Sequence, residues 1–236
     1  MKFCVIIPCY NHSESLNGVL DRIGENLHSI IVDDGSDIPV CIGDRKATLL
    51  RHSKNLGKAQ ALKAGFAQAR KEGYTHVITI DADGQHPPKY LPKIIDASLC
   101  NPDKIIIAAR NFDNSNIPFR RKAMNKFSNF WFRVETGKIV NDTQCGFRCY
   151  PLDVLEKLDL RLGGFVFEVE LLVKAAWSGV DFFEVPIPAV YSKEILSKSH
   201  YRPFLDTMRF SAMNTRLFFA SLFLSKSQLK KIAEKK

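Results

Sequence analysis

Short apolar runs alternate with amphipathic stretches along the first half of the chain. The runs are continuous, as is typical of strands buried on both faces of a parallel sheet, and they occupy residues 3–8, 29–32, 49–52, 76–80 and 104–108. The stretches between them place apolar side chains along one helical face, and they occupy residues 13–24, 57–71 and 88–99. Strands that alternate with helices predict an α/β fold with a mostly parallel sheet flanked by helices.

The second half of the chain has a less regular pattern, which predicts helices at residues 122–136 and 165–177 and a strand at 182–187. No repeat and no low-complexity linker interrupts it. A length of 236 residues, 45% of them hydrophobic, suits one large domain with a substantial core. We therefore expect residues 1–203 to form one α/β domain and residues 204–236 to form a basic, amphipathic helical tail.

Two carboxylates follow the apolar run at residues 76–80. Asp81 and Asp83, at positions i and i+2, lie on the same side of the backbone. Carboxylates this close repel each other unless a cation lies between them, and a divalent cation with oxygen ligands usually carries substrate phosphates as well. Gln85 adds an oxygen at the next position on that side. This pattern predicts a metal–diphosphate site with Asp81, Asp83 and Gln85 as metal ligands.

Two further polar segments are expected at the same edge of the sheet, because ligands of parallel sheets bind at the carboxyl ends of strands. Asp33 and Asp34 end a run and precede Gly and Ser, which predicts either a capped turn or a carboxylate that binds a base or ribose. Gly57 and Lys58 open a predicted helix, where a phosphate would be favoured. Neither the GxxxxGK[ST] pattern of P-loops nor the GxGxxG dinucleotide fingerprint occurs.

The net charge of +9 is concentrated near the C-terminus, where residues 193–236 contain ten Lys or Arg and three Asp or Glu. Two interpretations stay open for the tail: a helix packed on the domain with solvated lysines, or an interfacial helix that faces anionic lipid. No nucleic-acid-binding module is recognisable, so nucleic acid is not an expected partner.

The location of the protein is inferred from segments that the sequence does not contain. We see no secretory signal peptide and no apolar stretch of the roughly 20 residues that a membrane-spanning helix needs. The six Cys lack metal-site spacing, so they are interpreted as reduced thiols of a cytosolic protein.

Taken in order, the motifs resemble those of family 2 glycosyltransferases with the GT-A fold, most closely the dolichol-phosphate mannose synthase-like branch. The resemblance covers about residues 3–210 and rests on VIIPCYN (5–11), VDDGS (32–36), NLGKA (55–59), IDADGQHP (80–87), DTQCGFR (142–148) and FVFEVEL (165–171). The later SHYRPF (199–204), with Asp206, is similar to small bacterial members of aryl-polyene lipid pathways.

This resemblance implies a nucleoside-diphosphate sugar donor and Mn²⁺ or Mg²⁺ as cofactor. It implies that the donor is bound by Pro8, Tyr10, Asn11, Asp33, Asp34, Lys58, Asp81, Ala82 and Asp83. The cation would neutralise the leaving diphosphate while the acceptor attacks the anomeric carbon from the opposite side, with inversion.

The resemblance also implies a lipid-linked acceptor, such as a polyprenyl phosphate or a glycolipid of the aryl-polyene type, and therefore a cytoplasmic protein peripheral on the inner face of the cell membrane. Catalytic roles fall to Asp83, Arg148 and Glu168; Phe167 precedes Glu168 where the family often has a second acid. A hydroxyl acceptor would need a general base. A phosphate acceptor would not, and Arg110, Arg121 and Arg148 would bind it.

Two other functions were weighed against a transferase. A haloacid-dehalogenase-type phosphatase would have its DxD motif near the N-terminus, whereas here the motif follows the Asp33–Asp34 pair. A non-catalytic sugar-nucleotide-binding protein would lack the metal site, whereas Asp81 and Asp83 are both present. His86 and His200 are interpreted as structural residues.

Overall fold

The computed structural model describes residues 1–112, 117–161, 163–188 and 203–235. Its sheet has the order β3-β2-β1-β4-β6-β5-β7. The strands are β1 (Phe3–Cys9), β2 (Ser29–Asp33), β3 (Ala47–Arg51), β4 (His76–Thr79), β5 (Ile105–Asn111), β6 (Arg148–Pro151) and β7 (Phe182–Pro188). β6 runs antiparallel to β4 and β5, and the other pairs are parallel. The mostly parallel α/β sheet expected from the sequence is therefore confirmed.

Helices flank the sheet. They are α1 (Ser13–Ile23), α2 (Lys58–Lys71), α3 (Leu91–Cys100), α4 (Phe119–Thr136), α5 (Leu152–Lys157), α6 (Phe167–Trp177), α7 (Pro203–Phe223) and α8 (Lys226–Ala233), with 3₁₀ turns at Pro88–Tyr90 and Gly164–Val166. Helix α2 lies close to β1 because Gly65 faces it. A β-carbon at Gly65 would lie 2.5 Å from Cγ2 of Ile6.

The strand β6 has no counterpart among the sequence expectations. All of its residues are buried, yet it begins with Arg148 and so shows no continuous apolar run. Its antiparallel insertion between β4 and β5 brings the segment before it, residues 142–147, to the carboxyl end of β4. That segment contributes directly to the candidate site.

Both C-terminal helices pack on the rest of the protein. Helix α7 packs against α4 and the 3₁₀ turn Gly164–Val166, and α8 packs against α6. The end of the chain is held by the backbone, since the N–H of Asp159 donates to the carbonyl of Ala233 at 2.8 Å and that of Lys235 to the carbonyl of Lys157 at 2.7 Å. Among the described residues, no helix combines the length and hydropathy that a bilayer crossing requires.

The functional motifs converge at one edge of the sheet. Strands β2, β1 and β4 are neighbours and parallel, so their carboxyl ends lie side by side. In the register of the sheet, Cys9 pairs with Asp33 and Asp33 with Arg51. Residues 199–202 of the SHYRPF motif, including His200, lie outside the described residues.

Candidate active site

Lys58 lies between two carboxylates that come from distant parts of the chain. Its Nζ is 2.7 Å from Oδ1 of Asp81 and 2.8 Å from Oε2 of Glu168. Lys58 is the first residue of α2, Asp81 follows β4, and Glu168 lies in the first turn of α6. Burial alone would lower the pKa of Lys58, but the charges of Asp81 and Glu168 raise it. The ammonium group is therefore charged, and it pairs with both carboxylates.

Gly146 forms the floor beneath these three side chains. A β-carbon at this position would lie 2.9 Å from Oδ2 of Asp81, 3.2 Å from Oε1 of Glu168 and 3.2 Å from Nζ of Lys58. The carbonyl of Gly146 accepts a hydrogen bond from Oγ1 of Thr79 at 2.7 Å, which ties this loop to β4. A residue without a side chain thus allows the three charged groups to meet.

Asp83 is held in place by Gln85. The backbone N–H of Gln85 donates to Oδ1 of Asp83 at 2.9 Å, and its side-chain amide donates to Oδ2 at 2.8 Å. Burial, followed by the charge of Asp81, raises the pKa of Asp83 to about 6. Burial would also raise the pKa of Asp81, but Lys58 holds it at about 2. Gln85 is thus placed as a partner of Asp83, and its role as a metal ligand stays a prediction.

The donor set fits a divalent cation that is held together with a ligand. Within the described residues, no group of three or more His, Cys, Asp or Glu could hold a metal by itself. Asp81 and Asp83 instead offer two carboxylates. Burial, and then the charge of Asp81, raises the pKa of Asp83, and a bound cation would stabilise its ionised form. One or two carboxylates plus substrate phosphates is the usual way in which Mg²⁺ is bound.

His86 supports Asp81 from within the fold. The backbone N–H of Asp81 donates to Nδ1 of His86 at 3.3 Å, and Nε2 lies 3.7 Å from Sγ of Cys145. Burial lowers the pKa of His86 to about 4, so its ring is neutral near pH 7. This placement agrees with the structural interpretation of His86.

Asp33 and Asp34 organise the loops beside the site. Asp33 accepts from the backbone N–H groups of Ser36 at 2.9 Å and Val40 at 3.2 Å, and it pairs with Arg51 at 3.1 Å. These contacts favour the capped-turn interpretation of Asp33. The buried carboxylate is held by these protein groups, and its contact with the donor stays a prediction.

Asp34 tightens the start of α2 from the end of β2. It accepts from the backbone N–H groups of Leu56 at 3.0 Å and Gly57 at 2.7 Å, and His52 Nδ1 lies 2.7 Å from Oδ1. Asp34 thereby places Lys58, the next residue after Gly57. Its contact with a nucleoside stays a prediction.

The turn after β1 is tied to the loop after β2. Asn11 has a φ of 56°, a left-handed conformation that Asn adopts more readily than most residues. Its backbone N–H donates to Oγ of Ser36 at 2.9 Å, and its side chain exchanges two hydrogen bonds of 2.9 Å with Asp37. Pro8 and Tyr10 are half-buried beside it, and Ala82 is buried. Donor contacts of these residues stay predictions.

Arg148 lies beneath the site and has no surface for a ligand. Its side chain is fully buried, and its guanidinium donates to Oη of Tyr150 at 3.1 Å and to the carbonyls of Glu168 at 3.0 Å and Thr143 at 2.8 Å. The assignment of Arg148 to catalysis and to the acceptor phosphate is corrected: the residue supports the backbone of Glu168.

The other two arginines lie nearer to the surface. Arg110 donates three hydrogen bonds to Asp142, of 2.7 Å from Nε, 2.9 Å from Nη2 and 3.0 Å from its backbone N–H. Arg121 is close enough for its charge to lower the pKa of Asp83. Asp142 and Gly146 also belong to the site, although neither was assigned a role from the sequence. The signal that pointed to them was the DTQCGFR motif (142–148).

Residues 4–159 match the model of glycosyl transferase family 2. The chain belongs to this family. It is 32% identical over 201 residues to the polyprenol monophosphomannose synthase of Mycolicibacterium smegmatis, covering 78% of this chain and 75% of the relative. It is 30% identical over 208 residues to the undecaprenyl-phosphate mannosyltransferase of Micrococcus luteus, covering 80% and 84%.

The chain also resembles the dolichol-phosphate mannosyltransferase of Pyrococcus furiosus, with 32% identity over 204 residues that cover 79% of this chain and 56% of the relative. These relatives confirm the dolichol-phosphate mannose synthase-like branch of family 2. The likeness to aryl-polyene pathway members is not tested and stays a prediction.

Solved glycosyltransferase structures share the GT-A fold with this family 2 member. The glucosyl-3-phosphoglycerate synthase of Mycobacterium tuberculosis, solved with Mn²⁺, uridine diphosphate and phosphoglyceric acid, superposes with a TM-score of 0.67 at 16% identity and covers 95% of this chain and 79% of that one. The mannosyl-3-phosphoglycerate synthase of Rubrobacter xylanophilus gives a TM-score of 0.66 at 15% identity, covering 94% and 74%. Its family and its named relatives show that the protein is a glycosyltransferase that uses a nucleotide sugar.

Proposed function

We propose that this glycosyltransferase carries out metal-dependent, inverting transfer of a sugar from a nucleoside-diphosphate sugar to a polyprenyl phosphate at the cytoplasmic face of the membrane. The observation that carries the proposal is the cluster of Asp81, Asp83, Lys58 and Glu168 at the carboxyl edge of the sheet. Relatives of 30% and 32% identity are named for polyprenol and undecaprenyl-phosphate acceptors.

The donor end of the reaction follows from the charges at this edge. Asp81 and Asp83 would hold Mn²⁺ or Mg²⁺, which neutralises charge on the departing diphosphate when bound. Lys58 stands at the N-terminus of α2, where backbone N–H groups also favour phosphate. Asp34 fixes that N-terminus through Gly57. The chain thereby positions the diphosphate against the end of β4.

The acceptor end favours a phosphate over a hydroxyl group. One oxygen of Glu168 already binds the ammonium group of Lys58 at 2.8 Å. A phosphate acceptor carries its own negative charge and needs no general base. Its oxygen attacks the anomeric carbon while the bond from that carbon to the diphosphate oxygen breaks, which inverts the configuration. Arg121, whose charge acts on Asp83, and Arg110, whose charge acts on Asp81, supply positive charge for such an acceptor.

Membrane contact is proposed for an aromatic face formed by α4 and α7. Its exposed side chains are Phe127, Phe130, Phe219, Leu222 and Phe223. The two helices meet through Trp131 and Phe218, whose ring centroids are 5.6 Å apart. Exposed apolar residues beside basic ones suit the interface of an anionic bilayer. Lys126, Arg133 and Lys226 are exposed on these helices and at the start of α8.

The test is a calorimetric titration of uridine, guanosine, thymidine and cytidine diphosphates, each with Mn²⁺ and with EDTA. We expect one of them to bind, and only with the metal. The matching sugar nucleotides are then assayed with undecaprenyl phosphate and with undecaprenol, and the anomeric configuration of the product is read by NMR. Transfer to the alcohol alone would overturn the phosphate acceptor. Binding without transfer would favour a non-catalytic sugar-nucleotide-binding protein, and no binding would redirect the search to phosphatase substrates.

A further inference from the structure

Lys58 occupies the place where positive charge is needed in the donor site. Its ammonium group is within 2.8 Å of both Asp81 and Glu168. Asp81 is also one of the two carboxylates assigned to the cation. A divalent cation on Oδ1 of Asp81 and the ammonium group 2.7 Å from that same oxygen repel each other. The two positive charges therefore compete for one carboxylate.

We propose that Lys58 is a built-in counter-ion that makes cation binding depend on the donor diphosphate. The inference rests on the proposed function and adds a coupling between its two ligands. A diphosphate brings negative charge to the N-terminus of α2, so Lys58 can exchange Asp81 for a phosphate oxygen. Asp81 is then released to the cation. Free metal alone has to displace the ammonium group without that compensation.

Three features hold Lys58 in this position. Hydrogen bonds from Leu56 and Gly57 to Asp34 fix the backbone just before it. Gly146 leaves no side chain beneath it, so Lys58 reaches both carboxylates at once. Glu168 keeps the ammonium group in the site when Asp81 is released, because it binds Lys58 independently.

The coupling has a consequence for the reaction. If the metal binds only together with the donor, the empty site holds no cation. Unrelated phosphates then find no cation to bind. The cation and the diphosphate then bind cooperatively, and each raises the affinity of the site for the other by the same factor.

The experiment measures Mn²⁺ binding without nucleotide, through the loss of the free Mn²⁺ signal in electron paramagnetic resonance. A neighbouring opposite charge shifts the proton affinity of a carboxylate by about one to three pKa units. Lys58→Met is therefore expected to bind Mn²⁺ alone about tenfold more tightly than wild type, or better. Lys71→Met is the matched control, because it removes the same charge from an exposed position on the same helix. It should leave the affinity unchanged.

A second variant, Glu168→Gln, tests the same competition and should change the Mn²⁺ affinity in the opposite direction. In Glu168→Gln, Lys58 loses one of its two partners and pairs with Asp81 alone, so Mn²⁺ alone should bind more weakly than in wild type. This arm decides the matter if Lys58→Met does not fold, as judged by circular dichroism. The added substitution Asp81→Asn should abolish the gain seen in Lys58→Met, which places the gain at this carboxylate.

Unchanged or weaker Mn²⁺ binding in a folded Lys58→Met would overturn the inference, as would unchanged or tighter binding in Glu168→Gln. The same titrations with uridine, guanosine, thymidine and cytidine diphosphates separate this outcome from a failure of the proposed function. If wild type binds none of them with Mn²⁺, the proposed donor is wrong. If wild type binds one of them with Mn²⁺, and the nucleotide raises the Mn²⁺ affinity of Lys58→Met by the same factor as that of wild type, only the coupling is wrong.

Discussion

Two regions of the protein are built on different principles. The first is the carboxyl edge of the sheet, called the donor edge because the proposed donor would bind there. The second is the side formed by α4 and the C-terminal helices α7 and α8, called the C-terminal side. At the donor edge, carboxylates have named partners: Asp33 binds backbone N–H groups and Arg51, Asp81 binds Lys58, and Asp142 binds Arg110. On the C-terminal side, aromatic rings of α4 and α7 pack together and several stay exposed. The first region is specified by charge placement and the second by apolar area.

One buried carboxylate on the C-terminal side departs from the rule of the donor edge. Glu135, near the end of α4, is 3% exposed, and neither of its oxygens has a hydrogen-bond partner. A buried polar group without a partner reduces stability. The carboxylates at the carboxyl edge of the sheet are thus held by protein partners, whereas both oxygens of Glu135 are buried without one among the described residues.

The largest effect is expected at the donor edge. Asp83→Ala removes one of two carboxylates assigned to the cation, while Asp81, Lys58 and Glu168 keep their contacts. We expect transfer to fall about a thousandfold or more and the melting temperature to change little. The measurement is sugar transfer beside thermal unfolding. Full activity in a folded Asp83→Ala would remove the metal assignment, and Asp96→Ala, on the outer part of α3, is the control.

The next largest effect is expected at Glu135, the buried carboxylate of the C-terminal side for which the described residues provide no partner. Burial raises the pKa of this carboxyl group from 4.5 to about 8 in the folded protein. The folded state therefore binds a proton more tightly than the unfolded state, and stability decreases as the pH rises from about 4.5 to about 8. Glu135→Gln should abolish this decrease and raise the free energy of unfolding at pH 8 by roughly 3–5 kcal/mol.

Urea denaturation at pH 5 and pH 8 measures this effect. Glu184→Gln is the comparison variant, because that carboxylate accepts hydrogen bonds from Asn141 at 2.7 and 2.6 Å and is exposed in part. Equal stability of wild type and Glu135→Gln at pH 8 would mean that Glu135 has a partner in solution.

The two regions also differ in how far the sequence predicts them. The strands that end at Cys9, Asp33 and Thr79 were recognisable from apolar runs, and so was the convergence of polar residues at their ends. Strand β6 was not, because it opens with Arg148, whose buried guanidinium donates to nearby Tyr150 and Thr143 and to the carbonyl of Glu168, 20 residues further along the chain. Spacing along the chain carries no information on such partners.

The same reason explains what was missed within the site. Lys58 was expected to face a phosphate, but its contacts with Asp81 and Glu168 join residues that are far apart in the chain. The role of Gly146 follows only from the close approach of those side chains. On the C-terminal side, the packed-helix interpretation agrees with the placement of α8, while the exposed rings of α7 are compatible with lipid contact.

A smaller effect is expected from the aromatic face. The double variant Phe219→Ser, Phe223→Ser removes two exposed rings from α7, which are 51% and 74% exposed, without opening the core. Because each ring contributes apolar area to an interface, binding to vesicles with anionic lipid should weaken about tenfold or more.

Sedimentation with phosphatidylglycerol-containing vesicles measures this loss. Ile38→Ser, which removes an exposed apolar side chain from the loop between β2 and β3, serves as the control. Substitution is preferable to deletion of the tail, since Leu229 and Ala233 of α8 are buried. Unchanged sedimentation of the double variant would assign the aromatic face to another role.

The smallest effect tests whether α8 is part of the folded domain. Ser225 and Gln228 form a capping box: Oγ of Ser225 accepts from the backbone N–H of Gln228, and Oε1 of Gln228 accepts from that of Ser225 at 2.9 Å. Ser225→Ala should lower the free energy of unfolding by about 1 kcal/mol. Ser227→Ala, at an exposed position two residues later, should leave it unchanged. The same variant tests whether α8 affects the donor edge, because α8 packs on α6 and α6 carries Glu168. Unchanged affinity of Ser225→Ala for Mn²⁺ and nucleotide would mean that α8 does not influence the donor edge. A loss of affinity together with stability would mean that α6 couples the two regions.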